Sequence, residues 1–263
     1  MEKYCYLIVA AIYAVVAIDF WRAPKHNAKN WHTLAVGFGL IFHAWLLKIT
    51  LFYYSINLSL SNAISAILWL TILIYWLASF KNKLQSLQAF ALPIAAICVL
   101  YQGFFRHAHF IDYANQPYFF AHIVVALLAY SLFTFATFHA ALMSLAERSL
   151  HQKTSMMTLP DFPPLLPMEK LLFQVISLAF VLLSLTLLSG LLFSEEIYQQ
   201  AFKFNHKNVF AVLSWLVYGT LLYGHFKLGW RGRKAIHWTI AGFGLLLLAY
   251  VGSKFVFEVM LTH

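Results

Sequence analysis

Two apolar runs near the end of the chain, Asn208–Phe226 and Ala235–Met260, set the first limit on what it can fold into. Each is long enough to cross a bilayer, which takes about 20 helical residues at 1.5 Å rise. Between them stands a short basic loop, with Lys227, Arg231, Arg233 and Lys234 around Gly229, Trp230 and Gly232. That loop orients the hairpin, because Lys and Arg in short loops stay on the cytoplasmic side of a membrane. His225 lies in the last turn of the first run, where a spanning helix normally carries no ionisable group. Such residues are costly in lipid and face a partner or a ligand.

The same reading along the chain finds eight spans, at about 4–20, 33–54, 61–80, 88–105, 118–146, 169–193, 208–226 and 235–260. Composition agrees: the chain is 62% hydrophobic and 10% charged, whereas a soluble domain is about half apolar and a quarter charged. The expected fold is therefore an all-α polytopic membrane helix bundle of about eight transmembrane helices. It forms a single integral membrane domain over residues 1–263. The first span lacks a small-residue cleavage site before Asp19 and reads as a retained helix. The net charge of +9 follows from the positive-inside bias and does not call for nucleic acid. Cys5 and Cys98 lie far apart in apolar runs, and no CxxCH motif is present, so neither a disulfide nor attached c-type haem is implied.

Loop charge sets the orientation. Loops after the odd-numbered spans hold Arg22, Lys25, Lys29, Lys81, Lys83, Arg148, Lys153, Lys170, Lys227, Arg231, Arg233 and Lys234, twelve in all. The opposite side holds four, Lys3, Arg106, Lys203 and Lys207, while Lys48 and Lys254 fall within spans. Both termini are expected outside the cytoplasm. Only Glu147–Met168 is long enough for more than a turn, and Pro160, Pro163, Pro164 and Pro167 are expected to break any helix there. Outer segments Arg106–Pro117 and Ser194–Lys207 are short and mixed, and there is no internal repeat of the kind transporters use.

Of 12 histidines, His26, His32, His107, His109, His151, His206 and His263 lie in loops or at span ends, and His237 sits one turn into the last span. There a solvated or interfacial imidazole is the ordinary state. His43, His122, His139 and His225 are the informative ones. A buried His43 is accounted for equally by a hydrogen bond or by a ligand, and His139 and His225 equally by snorkelling to the headgroups. His122 alone would be interfacial, beside an aromatic belt. Haem is the ligand that would make several of them cooperate, since two imidazoles can hold its iron axially. Its flat apolar ring also suits a slot in a chain that is 18% aromatic. By rise per residue His43 stands about 15 Å above the inner boundary, and His225 about 10 Å lower. Helix tilt can close that gap, but depth alone does not pair them.

Specific residues then point to a family. Trp215-Leu216-Val217-Tyr218, Tyr223-Gly224-His225 and GWRGRK from Gly229 are followed by Gly242-Phe243 and Ala249-Tyr250-Val251-Gly252-Ser253. Upstream come PPLLPMEKLLF from Pro163, LTLLSGLLF from Leu185, and His122 ahead of Ala129-Tyr130-Ser131, with His43-Ala44 a weaker match. In these the chain resembles the cytochrome c assembly family, the CcsA/CcmC-type haem-handling proteins, and within it the shorter YpjD/HemX-like inner-membrane branch. The resemblance runs from about residue 40 to the end.

The resemblance implies haem b bound by histidines, with His43 and His225 as the membrane pair on the iron and His122 as an outer ligand. Arg231 is a candidate for a haem propionate, as well as a topology anchor. The family's Trp-rich outer segment has no counterpart, because the stretch before the seventh span reads AFKFNHKNVF without Trp or Asp. Haem binding, transit or regulation of haem supply in the inner membrane is thus expected, without complete haem ligase activity and with no catalytic residue assigned. Partners are the lipid bilayer, haem and other cytochrome c or haem biogenesis proteins. The other readings are a b-type redox protein, a small-molecule or ion transporter using Lys48, and an accessory membrane subunit without haem.

Overall fold

A computed structural model describes residues 2–22, 30–51, 56–80, 88–105, 117–152, 164–198 and 206–252. They form α1 (Glu2–Arg22), α2 (Asn30–Leu51), α3 (Leu60–Ser79), α4 (Gln88–Phe104), α5 (Pro117–Gln152), α6 (Leu165–Tyr198), α7 (His206–Leu228) and α8 (Arg233–Leu247). A π-helical turn, Leu248–Gly252, continues α8. The protein is a polytopic membrane protein built of helices, and no β-strand occurs among the described residues. His26, His107, His109 and His263, along with Pro160 and Pro163, lie outside the described residues.

Six helices are long and apolar enough to cross a membrane, namely α1, α2, α3, α5, α6 and α7. Their exposed faces make the same point independently. On α2, Leu34, Phe38, Ile41 and Trp45 are exposed, while Val36, Leu40, His43 and Leu47 are buried. On α6, Leu178, Val181, Leu185, Leu188 and Leu192 are exposed, while Leu172, Ile176, Ala179 and Leu183 are buried. Both sets recur at helical spacing, so each helix is apolar on its outer face as well as its inner one. Large apolar patches on a free surface mark contact with something other than water, and here that is lipid.

Pro167 departs from the expectation that the prolines between Glu147 and Met168 would break any helix, whereas Pro164 stands just before α6 and outside it. Helix α5 runs on to Gln152, and α6 already begins at Leu165 with Pro167 in its first turn. A proline is tolerated there because first-turn N–H groups have no partner within the helix. With 36 and 34 residues, α5 and α6 reach about 54 and 51 Å. Both therefore extend beyond about 30 Å of hydrocarbon.

The chain divides into two compact units. The first comprises Met1–Ile111 and Leu142–Met168, the second Asp112–Ala141 and Glu169–His263. In the first unit, α1 packs on α2 and α4, and α3 packs on α2 and α4, closing a ring of four helices. Ser59 caps α3 by accepting from the N–H of Asn62, and two α3 indoles, Trp69 and Trp76, donate to the α2 carbonyls of Leu40 and Thr33. An open apolar groove of about 760 Å³ runs along α1 and α4 past Ala10, Ala14, Pro93 and Ile97, ending at Arg22.

In the second unit α7 and α8 form the expected hairpin. The Ser214 hydroxyl donates to the Gly242 carbonyl at 2.8 Å, and the Tyr218 hydroxyl to the Thr239 carbonyl at 3.1 Å. Gly242 allows this closeness, since a Cβ there would lie 2.8 Å from the Tyr218 ring. Phe133 of α5 stacks on the Tyr218 ring at 4.0 Å, and the indole of Trp215 donates to Ser184 of α6.

Candidate functional site

The hairpin end is built around His225. Helix α7 ends at Leu228, and the chain turns through Gly229 (φ 68°) and Gly232 (φ 55°), conformations that favour glycine. The turn brings Trp230 back over α7: its N–H donates to the Gly224 carbonyl at 3.0 Å, and its ring covers Gly224. A Cβ on Gly224 would fall 2.4 Å from that ring, so only glycine fits. The Trp230 carbonyl then lies 3.0 Å from Nδ1 of His225. A carbonyl can only accept, so Nδ1 carries the proton and Nε2 keeps its lone pair. The ring is clamped flat on Phe173 of α6, with centroids 3.4 Å apart and planes within 13°.

Arg231 and Gly232 are tied to α6 as well. Glu169, only 15% exposed, accepts from the Gly232 N–H at 3.2 Å and pairs with Nε of Arg231 at 3.5 Å. The Arg231 side chain remains 68% exposed, with guanidinium N–H groups to spare for an anion. Lys234 lies over the Trp230 ring at 5.7 Å, and Trp238 packs beside it at 5.3 Å.

His122, near the start of α5, has a similar arrangement. Its Nδ1 lies 2.7 Å from the Ser189 hydroxyl of α6. That hydroxyl spends its one proton on the Leu185 carbonyl, also at 2.7 Å. Nδ1–H of His122 is therefore the donor, and Nε2 again holds the lone pair. Phe119 stacks against the ring at 6.2 Å.

His43 is set up in the opposite way. It is fully buried in the four-helix ring of the first unit. Asn62 donates its amide to the Asn57 carbonyl at 3.0 Å, which turns its Oδ1 toward Gln102. Gln102 must present its amide nitrogen there, and so its oxygen faces Ser65 at 2.6 Å. Ser65 donates to that oxygen and accepts from Nε2–H of His43 at 2.8 Å. Nδ1 of His43 is left as acceptor for the Tyr13 hydroxyl at 3.3 Å. One hydrogen-bonded chain thus passes through α1, α2, α3 and α4, and both imidazole nitrogens are used in it. An iron bond at His43 would have to displace one of them.

His139 is buried in α5 and stacks parallel to Phe135 at 5.8 Å. Outside these centres, His32 donates to Asp19 at 2.8 Å between Phe20 and Trp31. His237 bonds the Arg233 carbonyl one turn back. Among the described residues, no group of three or more His, Cys, Asp or Glu forms a cage for a bare metal ion. His225, His122 and Arg231 thus lie in the second unit and His43 in the first.

The family described as cytochrome C assembly protein matches residues 31–261, nearly the whole length. The chain belongs to that family. All four expected site residues, His43, His122, His225 and Arg231, lie inside the match, whereas α1 with Tyr13 precedes it. The inner membrane protein YpjD of Escherichia coli K12 is 28% identical over 200 residues, which cover 76% of this chain and 75% of YpjD. An uncharacterised 28.8 kDa protein of Azospirillum brasilense is 31% identical over 140 residues, 53% of this chain and 52% of its own. The cytochrome c biogenesis protein CcsA of Prochlorococcus marinus MIT 9303 is 29% identical over 85 residues, 32% of this chain and 27% of CcsA. No solved structure matches.

In this member of the family, Tyr13, Ser65, Gln102, Ser189 and Glu169 are hydrogen-bond partners of the candidate residues or of their supports that the sequence alone did not single out. Each looks ordinary in its own helix, because the partner in question stands 22 or more residues away. For Gln102 and Glu169 a signal did exist, as a polar side chain within or bordering an apolar span asks for a partner.

Proposed function

We propose that the protein binds haem b in the inner membrane in the service of cytochrome c assembly, with Nε2 of His225 as an iron ligand. The observation that carries this is the hydrogen bond from His225 Nδ1 to the Trp230 carbonyl. Metal-bound histidines characteristically donate their other ring N–H to a carbonyl or carboxylate, which fixes tautomer and orientation. When bound, haem supplies an iron whose ligand set and potential the protein tunes. The chain's own residues do the rest. Phe173 holds the imidazole plane, and Arg231, with its exposed guanidinium, is suited to a propionate. His122, with Nε2 as its basic nitrogen, serves as a second ligand position.

His43, in the first unit, is a further candidate ligand only in competition with Tyr13, since its Nδ1 now accepts that hydroxyl. The basic hairpin loop is taken as cytoplasmic and both termini as external, on the twelve-to-four split of Lys and Arg. Haem ligase activity is not included, because the family's Trp-rich outer segment has no counterpart at AFKFNHKNVF.

The test is the absorption spectrum of detergent-purified protein, as isolated and after titration with haemin. Wild-type protein is expected to show a Soret band and a saturable shift. His225→Ala should lose haem or change ligand type, and His139→Ala should stay near normal. Wild-type protein that neither carries haem nor shifts its spectrum on titration overturns the reading. If haem is lost in His139→Ala and kept in His225→Ala, the ligand is on α5.

A further inference from the structure

We propose that Glu169 is the positioning residue that holds His225 in its ligating tautomer, acting through the hairpin loop. The proposal takes its purpose from the haem reading, while its geometry rests on hydrogen bonds alone. Glu169 touches neither the imidazole nor, in any assignment above, a ligand. It stands in the first turns of α6, one turn before Phe173, which carries the stacked face of His225.

Its two carboxylate oxygens take two different groups of the loop, the Gly232 N–H and the Arg231 Nε. Hydrogen bonds to an ionised carboxylate are roughly twice as strong as neutral ones. Gly232 is also the residue before α8 begins, and its φ of 55° leaves it no ordinary cap. Glu169 therefore anchors the loop where it enters α8, and the Gly224 carbonyl anchors it at Trp230. Held at both ends, the loop presents the Trp230 carbonyl to Nδ1 of His225. If the α6 anchor is lost, the carbonyl is no longer fixed and the imidazole is free to put its proton on Nε2. That tautomer has no lone pair where the iron bond would form.

The experiment reads the tautomer directly, by ¹⁵N NMR of histidine-labelled protein in detergent, with the His225 signals identified by their loss in His225→Ala. Wild-type protein should show protonated Nδ1 and unprotonated Nε2. Glu169→Ala should shift His225 toward the Nε2–H form and weaken haemin binding about 10–100-fold, the usual effect of removing an outer-shell partner. Glu169→Gln should restore the wild-type pattern, because its amide oxygen can still accept from Gly232. Should Glu169→Ala fail to insert, Glu169→Met keeps the side-chain volume without an acceptor and replaces it. A wild-type tautomer pattern in Glu169→Ala or Glu169→Met overturns the proposal, the Trp230–Gly224 bond then being enough to hold the loop. If the tautomer shifts but wild-type protein binds no haemin, the haem reading fails while the positioning role stands.

Discussion

His43, His122 and His225 are one kind of side chain in three hydrogen-bond settings, and the settings decide what each can do. Carbonyl acceptors at Trp230 and Leu185 fix the Nδ1–H form at His225 and, through Ser189, at His122. At His43 the direction is imposed from the far end of a chain, by the backbone carbonyl of Asn57. Ser65→Ala should therefore be expensive for its size, leaving Nε2–H of His43 and Oε1 of Gln102 buried without a partner. The expected cost is about 1–3 kcal/mol for each group stranded, read as a lower midpoint in thermal unfolding in detergent. Tyr13→Phe frees Nδ1 of His43, so haemin affinity should rise if that nitrogen competes for iron and stay level if it does not. That His43, His122, His139 and His225 stand within or at the ends of apolar spans was legible in the sequence, and the ligand roles expected of three of them came from the family resemblance. The tautomers of those three were not legible, because each depends on an acceptor that only folding brings near.

At the scale of elements, span positions could be read closely because a bilayer imposes one length and one composition on every crossing helix. Their ends could not. Helix α5 passes the expected end of its span, and α6 takes Pro167 into its first turn, since outside the hydrocarbon neither hydropathy nor a proline near a helix start forbids it. The tight turn at Gly229 and Gly232 was foreseeable from glycine in a basic loop, and both have positive φ. The role of Gly224 was not, because it follows from a ring folding back from six residues ahead. Gly224→Ala should force Trp230 off α7, at an overpacking cost of about 1–3 kcal/mol. A shift in tryptophan fluorescence toward the exposed position, together with weaker haemin binding, is the expected result. An unchanged emission spectrum would mean that the loop adapts without moving Trp230.

For the whole molecule, charge and hydropathy together predict a direction in the membrane. A reporter fused after Lys234 should behave as cytoplasmic, and an external signal would reverse the placement of every histidine. Division of the helices into two compact units had no counterpart in composition, as both units are equally apolar, and two of its boundaries fall within α5 and α6 themselves. What distinguishes the first unit is the polar chain through its four helices. Helices enter a membrane in the order of synthesis, and that order gives the chain a timetable. When α3 has been inserted, His43, Ser65 and Asn62 are already in place, but Gln102 is still to be made. Until α4 arrives, the Ser65 proton and the Asn62 oxygen have no partner from it, in a medium where an unsatisfied polar group costs several kcal/mol. A nascent chain stopped after Ser79 should thus be recognised as unfinished and degraded faster than one extended past Phe105, in a pulse-chase comparison. Gln102 is the last member of the polar chain to be made, and its arrival with α4 supplies the partners that Ser65 and Asn62 await.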